Sequence, residues 1–156
     1  IHDNSKKILD TIKSRCIKFN FTLSLDECIN ITNKITKKNI NDLLNLDLIN
    51  HYNTVGDFIN LINFSSASNI DISKLNLKSF LINIIENKYY KKNIFIKNNV
   101  YKFIDFYFLK LINLNKSDKK ISFFYEKFIK KIYFLKKFNL DDEAFFIEFK
   151  TKILNG

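Results

Sequence analysis

The chain has 156 residues, a mass of 18.6 kDa and a formal net charge of +10, which is the size of one ordinary domain or two small ones. With 46% hydrophobic residues it has enough apolar material for a core, which excludes an intrinsically disordered chain. No apolar run approaches the roughly 20 residues that a membrane span needs. Ile, Lys, Asn, Phe and Tyr supply 96 residues, and because all five have AT-rich codons, the composition indicates a genomic bias rather than a function.

The first residues indicate whether the chain is part of a longer protein, and the cysteines indicate its cellular compartment. The chain has no Met, and Ile1–Asn4 does not resemble the residues that follow a cleaved signal peptide, so we expect the chain to begin inside a longer protein. Cys16 and Cys28 form no metal-binding pattern and are predicted to be small buried residues in a reducing cytosol. His2 and His51 lie outside any catalytic or zinc motif, so we expect a cytoplasmic protein with no metal site in these residues.

The N-terminal segment is predicted to hold a short helix followed by a strand. A cap at Asn4 or Ser5 can start a helix whose apolar residues at positions 8, 9 and 12 share one face. Residues 16–21, Cys-Ile-Lys-Phe-Asn-Phe, then alternate in polarity with a period of two. This is the one convincing strand in the sequence.

Residues 23–66 are predicted to form a unit of three helices. Ser24 and Glu27 have the spacing of a capping box, which opens the first helix. Asn39 restarts a second helix that continues to position 48, and Thr54 caps a third. The predicted inward residues of the three helices are Leu25, Cys28, Ile31 (or Ile29) and Ile35; Leu43, Leu44, Leu46 (or Asp47) and Leu48; and Phe58, Ile59, Leu61 and Ile62.

The second half of the chain is predicted to be a helical bundle. Serine-rich residues 65–68 are the best candidate for a linker. Four amphipathic helices follow, over 77–88, 93–113, 118–138 and from 141 onward. The two long helices are predicted to pair as an antiparallel hairpin. The predicted fold class is therefore mainly α.

Positive charge is concentrated between Lys88 and Lys137, a segment that contains 14 lysines and 3 acidic residues. One interpretation is a surface that binds nucleic acid or another anion. The interpretation that we favour is an ordinary solvated helix face, because the lysines recur opposite the aromatic residues at helical spacing. The Phe and Tyr stripes are likewise predicted to be core packing rather than platforms for stacked bases.

Arg15 is the only arginine, against 25 lysines. Because this sequence uses Lys wherever a positive charge suffices, a lone Arg suggests a role that needs a guanidinium group. That group is planar and permanently charged, and its forked donors match phosphate or carboxylate. A structural ion pair is the competing explanation.

The segment around Arg15 resembles a known family. Residues 8–19, Ile-Leu-Asp-Thr-Ile-Lys-Ser-Arg-Cys-Ile-Lys-Phe, are similar to the LLPTIRSRC segment of the clamp-loader branch of AAA+ proteins, in which Ser14-Arg15-Cys16 is the signature triplet. Asp10 stands where Pro is usual and Lys13 where Arg is common. The resemblance implies that Arg15 is an arginine finger, which acts in trans on ATP bound by a neighbouring subunit.

The resemblance extends over most of the chain. It implies that residues 1–22 end the ATPase-like core, that 23–66 form the helical lid, and that 67–156 form the helical collar through which subunits associate. Gly56 stands where the ATP-hydrolysing gamma/tau subunits have their sensor-2 arginine. Its absence, and the similarity of residues 138–148 to the entry of the last delta-prime helix, point to the non-hydrolysing delta-prime type of subunit.

What the resemblance implies for function is an accessory subunit of the bacterial DNA polymerase III holoenzyme. Its expected partners are the gamma/tau and delta subunits, with the sliding clamp and primed DNA reached through the assembled complex and no membrane. No cofactor is expected in these residues, because ATP would lie in the neighbouring subunit and any zinc upstream of Ile1.

A second hypothesis does not depend on the resemblance to the clamp-loader family. In it the chain is a basic helical module that binds nucleic acid through Lys88–Lys137, and Arg15 is merely structural. A stand-alone enzyme is disfavoured, because the sequence has no phosphate loop, metal cluster or nucleophile–base motif.

Overall fold

The computed structural model describes residues 8–17, 22–50, 53–115 and 119–155. Over these ranges the chain is mainly helical and holds no strand, which confirms the mainly α prediction. The helices are α1 (Asp10–Lys13), α2 (Leu25–Thr36), α3 (Ile40–Leu43), a short 3-10 helix (Leu46–Leu48), α4 (Val55–Ser68), α5 (Leu77–Glu86), α6 (Tyr89–Lys92), α7 (Ile94–Leu114), α8 (Lys119–Phe138), α9 (Glu143–Phe149) and a π-helical turn (Lys150–Leu154).

The N-terminal predictions fall partly outside the described residues. The proposed caps at Asn4 and Ser5 and strand residues 18–21 lie in ranges that the structure does not describe. Cys16 and Ile17, the first two residues of the predicted strand, are exposed and have no regular secondary structure. The strand therefore remains a prediction, as does the assignment of residues 1–22 to an ATPase-like core.

The predicted capping box at Ser24 and the predicted cap at Thr54 are both present. The Glu27 backbone N–H donates to Ser24 Oγ at 3.3 Å, and the Ser24 backbone N–H donates to Glu27 Oε2 at 2.8 Å. Thr54 and Asp57 repeat this arrangement at the start of α4, with distances of 3.2 and 3.0 Å. Each box satisfies two backbone donors at a helix N-terminus that lack a partner within the helix.

The second helix of the 23–66 unit is shorter than predicted. α3 ends at Leu43, and Leu44 is extended, with φ −129° and ψ 141°. Asn45 then caps the 3-10 helix by accepting a hydrogen bond from the Asp47 backbone N–H at 2.9 Å. The break is stabilised from outside the unit, because Asn45 Nδ2 donates to the Ser73 carbonyl at 3.3 Å. The prediction of one helix through Leu48 is therefore wrong.

The inward face of α2 also differs from the prediction. Ile35 is 57% exposed, whereas Thr32 is fully buried. Burial of the Thr32 hydroxyl is tolerated because it donates to the Cys28 carbonyl one turn earlier, at 2.7 Å. Cys28 is buried as predicted.

The predicted linker at residues 65–68 is instead the last turn of α4. Ser66 Oγ and Ser68 Oγ donate to carbonyls one turn earlier, at 3.2 and 2.6 Å, so their hydroxyls are satisfied within the helix. The helix ends only at Asn69, which has the left-handed conformation with φ 54°. Reading the serines as a linker was wrong, whereas the division into lid and collar stays a prediction.

The two long helices, α7 and α8, form the predicted antiparallel hairpin. Near its middle, the Phe108 ring lies 5.6 Å from the Tyr125 ring and 5.8 Å from the Phe128 ring. Towards the end of the hairpin away from its loop, Lys136 Nζ lies 5.0 Å from the Tyr101 ring centroid. Later residues of α8 thus meet earlier residues of α7, as antiparallel packing requires.

The C-terminal helix α9 closes the bundle. The Phe149 ring lies 5.7 Å from the Phe108 ring and 5.6 Å from the Phe128 ring, so α9 covers the centre of the hairpin. Phe145 and Phe146 are also buried, as predicted. Buried side chains from α2 to the π-helical turn belong to one contiguous cluster.

Candidate functional site

The Ser14–Cys16 turn, the strongest candidate in the sequence, follows directly after α1. The Ser14 backbone N–H donates to the Asp10 carbonyl at 3.0 Å, and the Arg15 backbone N–H donates to the Ile12 carbonyl at 3.1 Å. Ser14 Oγ adds a bond to the Thr11 carbonyl at 3.1 Å. The main chain at Arg15 is therefore held by α1 itself, and its side chain takes no part in forming the turn.

All three residues of the turn are exposed. Within the described ranges no carboxylate forms an ion pair with the Arg15 guanidinium, so no structural ion pair accounts for the residue in this part of the chain. A guanidinium in this setting can offer two parallel N–H donors to a phosphate or carboxylate from another molecule. Cys16 is exposed, so its predicted burial is wrong. It is exposed because the turn packs on no core side chain at that point.

Apolar residues that precede and follow this turn in the chain are exposed. Leu9 is 70% exposed, Ile12 50% and Ile17 84%. The predicted inward face of the first helix therefore stays open to solvent at Leu9 and Ile12, and only Ile8 is partly buried. Exposed Arg15 thus lies in a segment of the chain that also exposes apolar side chains.

Gly56, the position matched to the sensor-2 arginine, lies in the first turn of α4 and is exposed. A Cβ added there would meet only Thr54 Oγ1, at 3.7 Å, which is an ordinary van der Waals contact. Space therefore does not demand glycine at this position. In the described part of the chain, no hydrogen bond or ion pair joins this helix start to the Arg15 turn.

Part of the positive charge between Lys88 and Lys137 is structural. Glu143 pairs with Lys88 and Lys91 at 2.5 and 2.7 Å, and hydrogen bonds from their ammonium groups lower the pKa of Glu143 to about 2. A second cluster surrounds Glu148 on α9. Its carboxylate pairs with Lys127, Lys131 and Lys152.

The Glu148 cluster connects α8 to α9. Hydrogen bonds from Lys131 and then Lys152 lower the pKa of Glu148 to about 2. Lys110 of α7 is paired as well, with Asp47 at 2.6 Å. Carboxylates of the described residues thus hold Lys88, Lys91, Lys110, Lys127 and Lys131.

A second candidate surface lies on the solvent side of α8. We call it the outer α8 face. At 100° per residue its members fall within an arc of about 100°, opposite the buried residues Phe128 and Ile132. We define the outer α8 face by six exposed residues of this arc, namely Lys119, Phe123, Lys130, Phe134, Lys137 and Phe138.

Core packing, the role predicted for the aromatic stripes, does not account for this surface. That assignment holds for Phe128, which is fully buried, but Phe123 is 65%, Phe134 50% and Phe138 57% exposed. The helical spacing separates the two sets, since positions 123 and 134 lie far around the helix from 121, 128 and 132.

An open cavity of about 440 Å³ lies between the start of α4 and α7. Its lining combines amide, charged and aromatic side chains, including Asn53 and Asp57 on one side and Asn99 and Lys102 on the other.

Among the described residues, no group of three or more His, Cys, Asp and Glu side chains could hold a metal ion. No helix in the described ranges combines the length and apolar character needed to cross a membrane.

Comparison of the chain with protein-family models found no match, and comparisons with curated proteins and with solved structures found none either.

Proposed function

We propose that this chain is a delta-prime-like accessory subunit of a bacterial clamp loader, which supplies Arg15 in trans to ATP bound by a neighbouring subunit. The observation that carries the proposal is the presentation of the chain's only arginine on an exposed turn. That turn carries the Ser-Arg-Cys triplet, and no carboxylate of the described residues pairs with the guanidinium.

The proposed role follows from the chemistry of phosphoryl transfer. Negative charge on the γ-phosphate oxygens must be stabilised in the transition state, and a fixed cation at that position accelerates the reaction. Arginine fingers contribute roughly 10³–10⁵ in rate in other phosphoryl-transfer systems. Because the finger comes from another subunit, hydrolysis depends on assembly of the ring.

The order of helices supports the same proposal. Ser24 and Thr54 cap the first and last helices of the unit that we assign to the lid, and the α7–α8 hairpin falls where the collar is expected. Gly56 carries no side chain that could contact a nucleotide at the sensor-2 position, which fits a subunit that does not hydrolyse ATP itself. In this proposal the chain meets gamma/tau and delta subunits, and reaches the sliding clamp and primed DNA through the complex.

The test is reconstitution with ATP-hydrolysing subunits, a sliding clamp and primed DNA. We expect Arg15→Ala to lower DNA-stimulated ATPase and clamp loading by at least about tenfold without preventing assembly. Arg15→Lys keeps the charge and loses the forked donors, so it should restore little activity. Lys34→Ala, which removes an exposed charge from α2, is the matched control.

Unchanged ATPase activity with Arg15→Ala in an assembled complex would overturn the finger role. The alternative, a basic module that acts without any ATPase, predicts instead that Arg15→Ala changes nothing and that the chain does not associate with the ATP-hydrolysing subunits.

A further inference from the structure

We propose that the outer α8 face binds single-stranded DNA, with its phenylalanine rings stacking on bases and its lysines contacting phosphates. The surface lies on α8, away from the Ser14–Cys16 turn in the chain, and the binding does not depend on Arg15. Only the choice of DNA over RNA rests on the proposed function.

The rings on this face are arranged as platforms. The Phe134 and Phe138 rings are nearly parallel, with an interplanar angle of 10° and centroids 6.1 Å apart, and both side chains are at least half exposed. Parallel exposed rings offer flat apolar surfaces, on which bases of any sequence can stack. Phe123 adds a third exposed ring about three helical turns earlier.

The lysines on this face are available for phosphates. Lys119, Lys130 and Lys137 are exposed, and none forms an ion pair within the part of the chain that the structure describes. Lys137 Nζ lies 5.4 Å from the Phe138 ring centroid and 5.6 Å from that of Tyr133, so the cation lies next to a platform. Glu126 is the one acidic residue among the exposed positions of α8, which leaves the face net positive.

The mixture of the two residue types favours a nucleic acid over other partners. An amphipathic helix that lies on a membrane segregates its apolar side chains from its lysines, whereas here they alternate on one face. The centres of protein–protein interfaces are depleted of lysine, but Lys130 and Lys137 flank the rings. A strand of nucleic acid supplies planar bases and negative charges in alternation, which is the complement of this pattern.

The first measurement is fluorescence anisotropy of the whole chain with a labelled oligothymidine of about 20 nucleotides, at several salt concentrations. Phe134→Leu combined with Phe138→Leu keeps the face apolar but removes the rings, and should weaken binding at least about tenfold. Lys119→Ala, Lys130→Ala and Lys137→Ala together should reduce the slope of log K against log[salt] by about 2, because each phosphate contact contributes about 0.7.

The control variant combines Lys34→Ala and Lys38→Ala, which removes exposed charge from the region of α2 and should leave the affinity within about twofold. All substituted residues are exposed, and circular dichroism verifies that each variant folds. Three results would overturn the proposal: affinity unchanged by the leucine variant, binding to duplex DNA as tight as to the single strand, or no binding to the oligonucleotide.

Two further arms identify other occupants. Binding to vesicles of anionic lipid that survives the leucine substitutions would assign the face to a membrane surface, and self-association lost with the same variant would assign it to a second copy of the chain. A preference of tenfold or more for RNA of equal length would overturn the assignment to DNA. The ATPase experiment with Arg15 tests the proposed function separately, since it does not involve the outer α8 face.

Discussion

Gly56 lies at the second position of α4, where neither its backbone nor its surroundings require glycine. Its conformation is helical, and an added Cβ meets only Thr54 Oγ1 at contact distance. Glycine in a helix loses more conformational entropy on folding than alanine does. Glycine at this position therefore lowers the stability of the folded chain, and no feature of the structure requires it there.

We predict that Gly56→Ala stabilises the protein by about 0.5–1 kcal/mol. The free energy of unfolding in urea measures the effect. Ala67→Gly, at an exposed position in the same helix, is the reverse control and should destabilise by a similar amount. A destabilised Gly56→Ala variant would show that the first turn of α4 has a requirement for glycine that its geometry does not reveal.

Among the elements, α8 and α9 are joined by charge as well as by aromatic packing. Glu148 accepts hydrogen bonds from Lys131 of α8 and from Lys152, the latter at 2.8 Å. These bonds hold the pKa of Glu148 at about 2, below its ordinary value of 4.5. The folded state thus binds a proton on this carboxylate more weakly than the unfolded state does.

The sign of the resulting pH dependence follows from this linkage. The stabilisation by Glu148 is fully present above pH 4.5 and is lost as pH falls through about 2. The side chain is 22% exposed, so solvent screening limits the effect of Glu148→Gln to about 1 kcal/mol at pH 7. Urea unfolding at pH 7, 4 and 2 measures it, and the variant and the original chain should converge at the lowest pH.

Glu126→Gln provides the control for that measurement. Glu126 lies on the same helix, is exposed and forms no ion pair within the described ranges, so the same substitution should change stability by less than about 0.5 kcal/mol at each pH. Equal effects at positions 126 and 148 would contradict a specific role for the cluster.

The elements also show which features the sequence could predict. The capping boxes at Ser24 and Thr54 were predictable because their bonds span three residues, and the α7–α8 hairpin because its apolar periodicity is long. The break at Leu44 was not, since it depends on Asn45 donating to Ser73, 28 residues away. Local patterns do not contain such contacts.

The candidate sites divide in a similar way. Arg15 could be singled out because a lone arginine among lysines is a compositional anomaly, and its exposure fits that prediction. The outer α8 face escaped prediction because phenylalanine is usually buried. Which lysines are paired was also invisible, since Glu143 and Glu148 lie far along the chain from Lys88 and Lys131 and only the tertiary fold brings them together.

The regions predicted as lid and collar contact each other. The Phe64 ring of α4 lies 6.2 Å from the Phe80 ring of α5 and 5.2 Å from the Tyr89 ring of α6. The ion pair between Asp47 and Lys110 also crosses the predicted boundary. Because buried side chains on both sides belong to one cluster, we expect the two regions to unfold together.

We predict that Phe64→Leu lowers the free energy of unfolding by about 1–2 kcal/mol and does so for both regions at once. Amide hydrogen exchange measures this, because the most protected amides exchange through global unfolding. The slowest amides of α4 and of α7 should then lose the same amount of protection. Phe58→Leu, a buried residue of the same helix, should produce the same parallel loss if unfolding is cooperative. If Phe64 couples the two regions, its substitution must lower the protection of amides in both of them. Faster exchange confined to residues 24–68 in either variant would instead show that the lid unfolds as a separate unit.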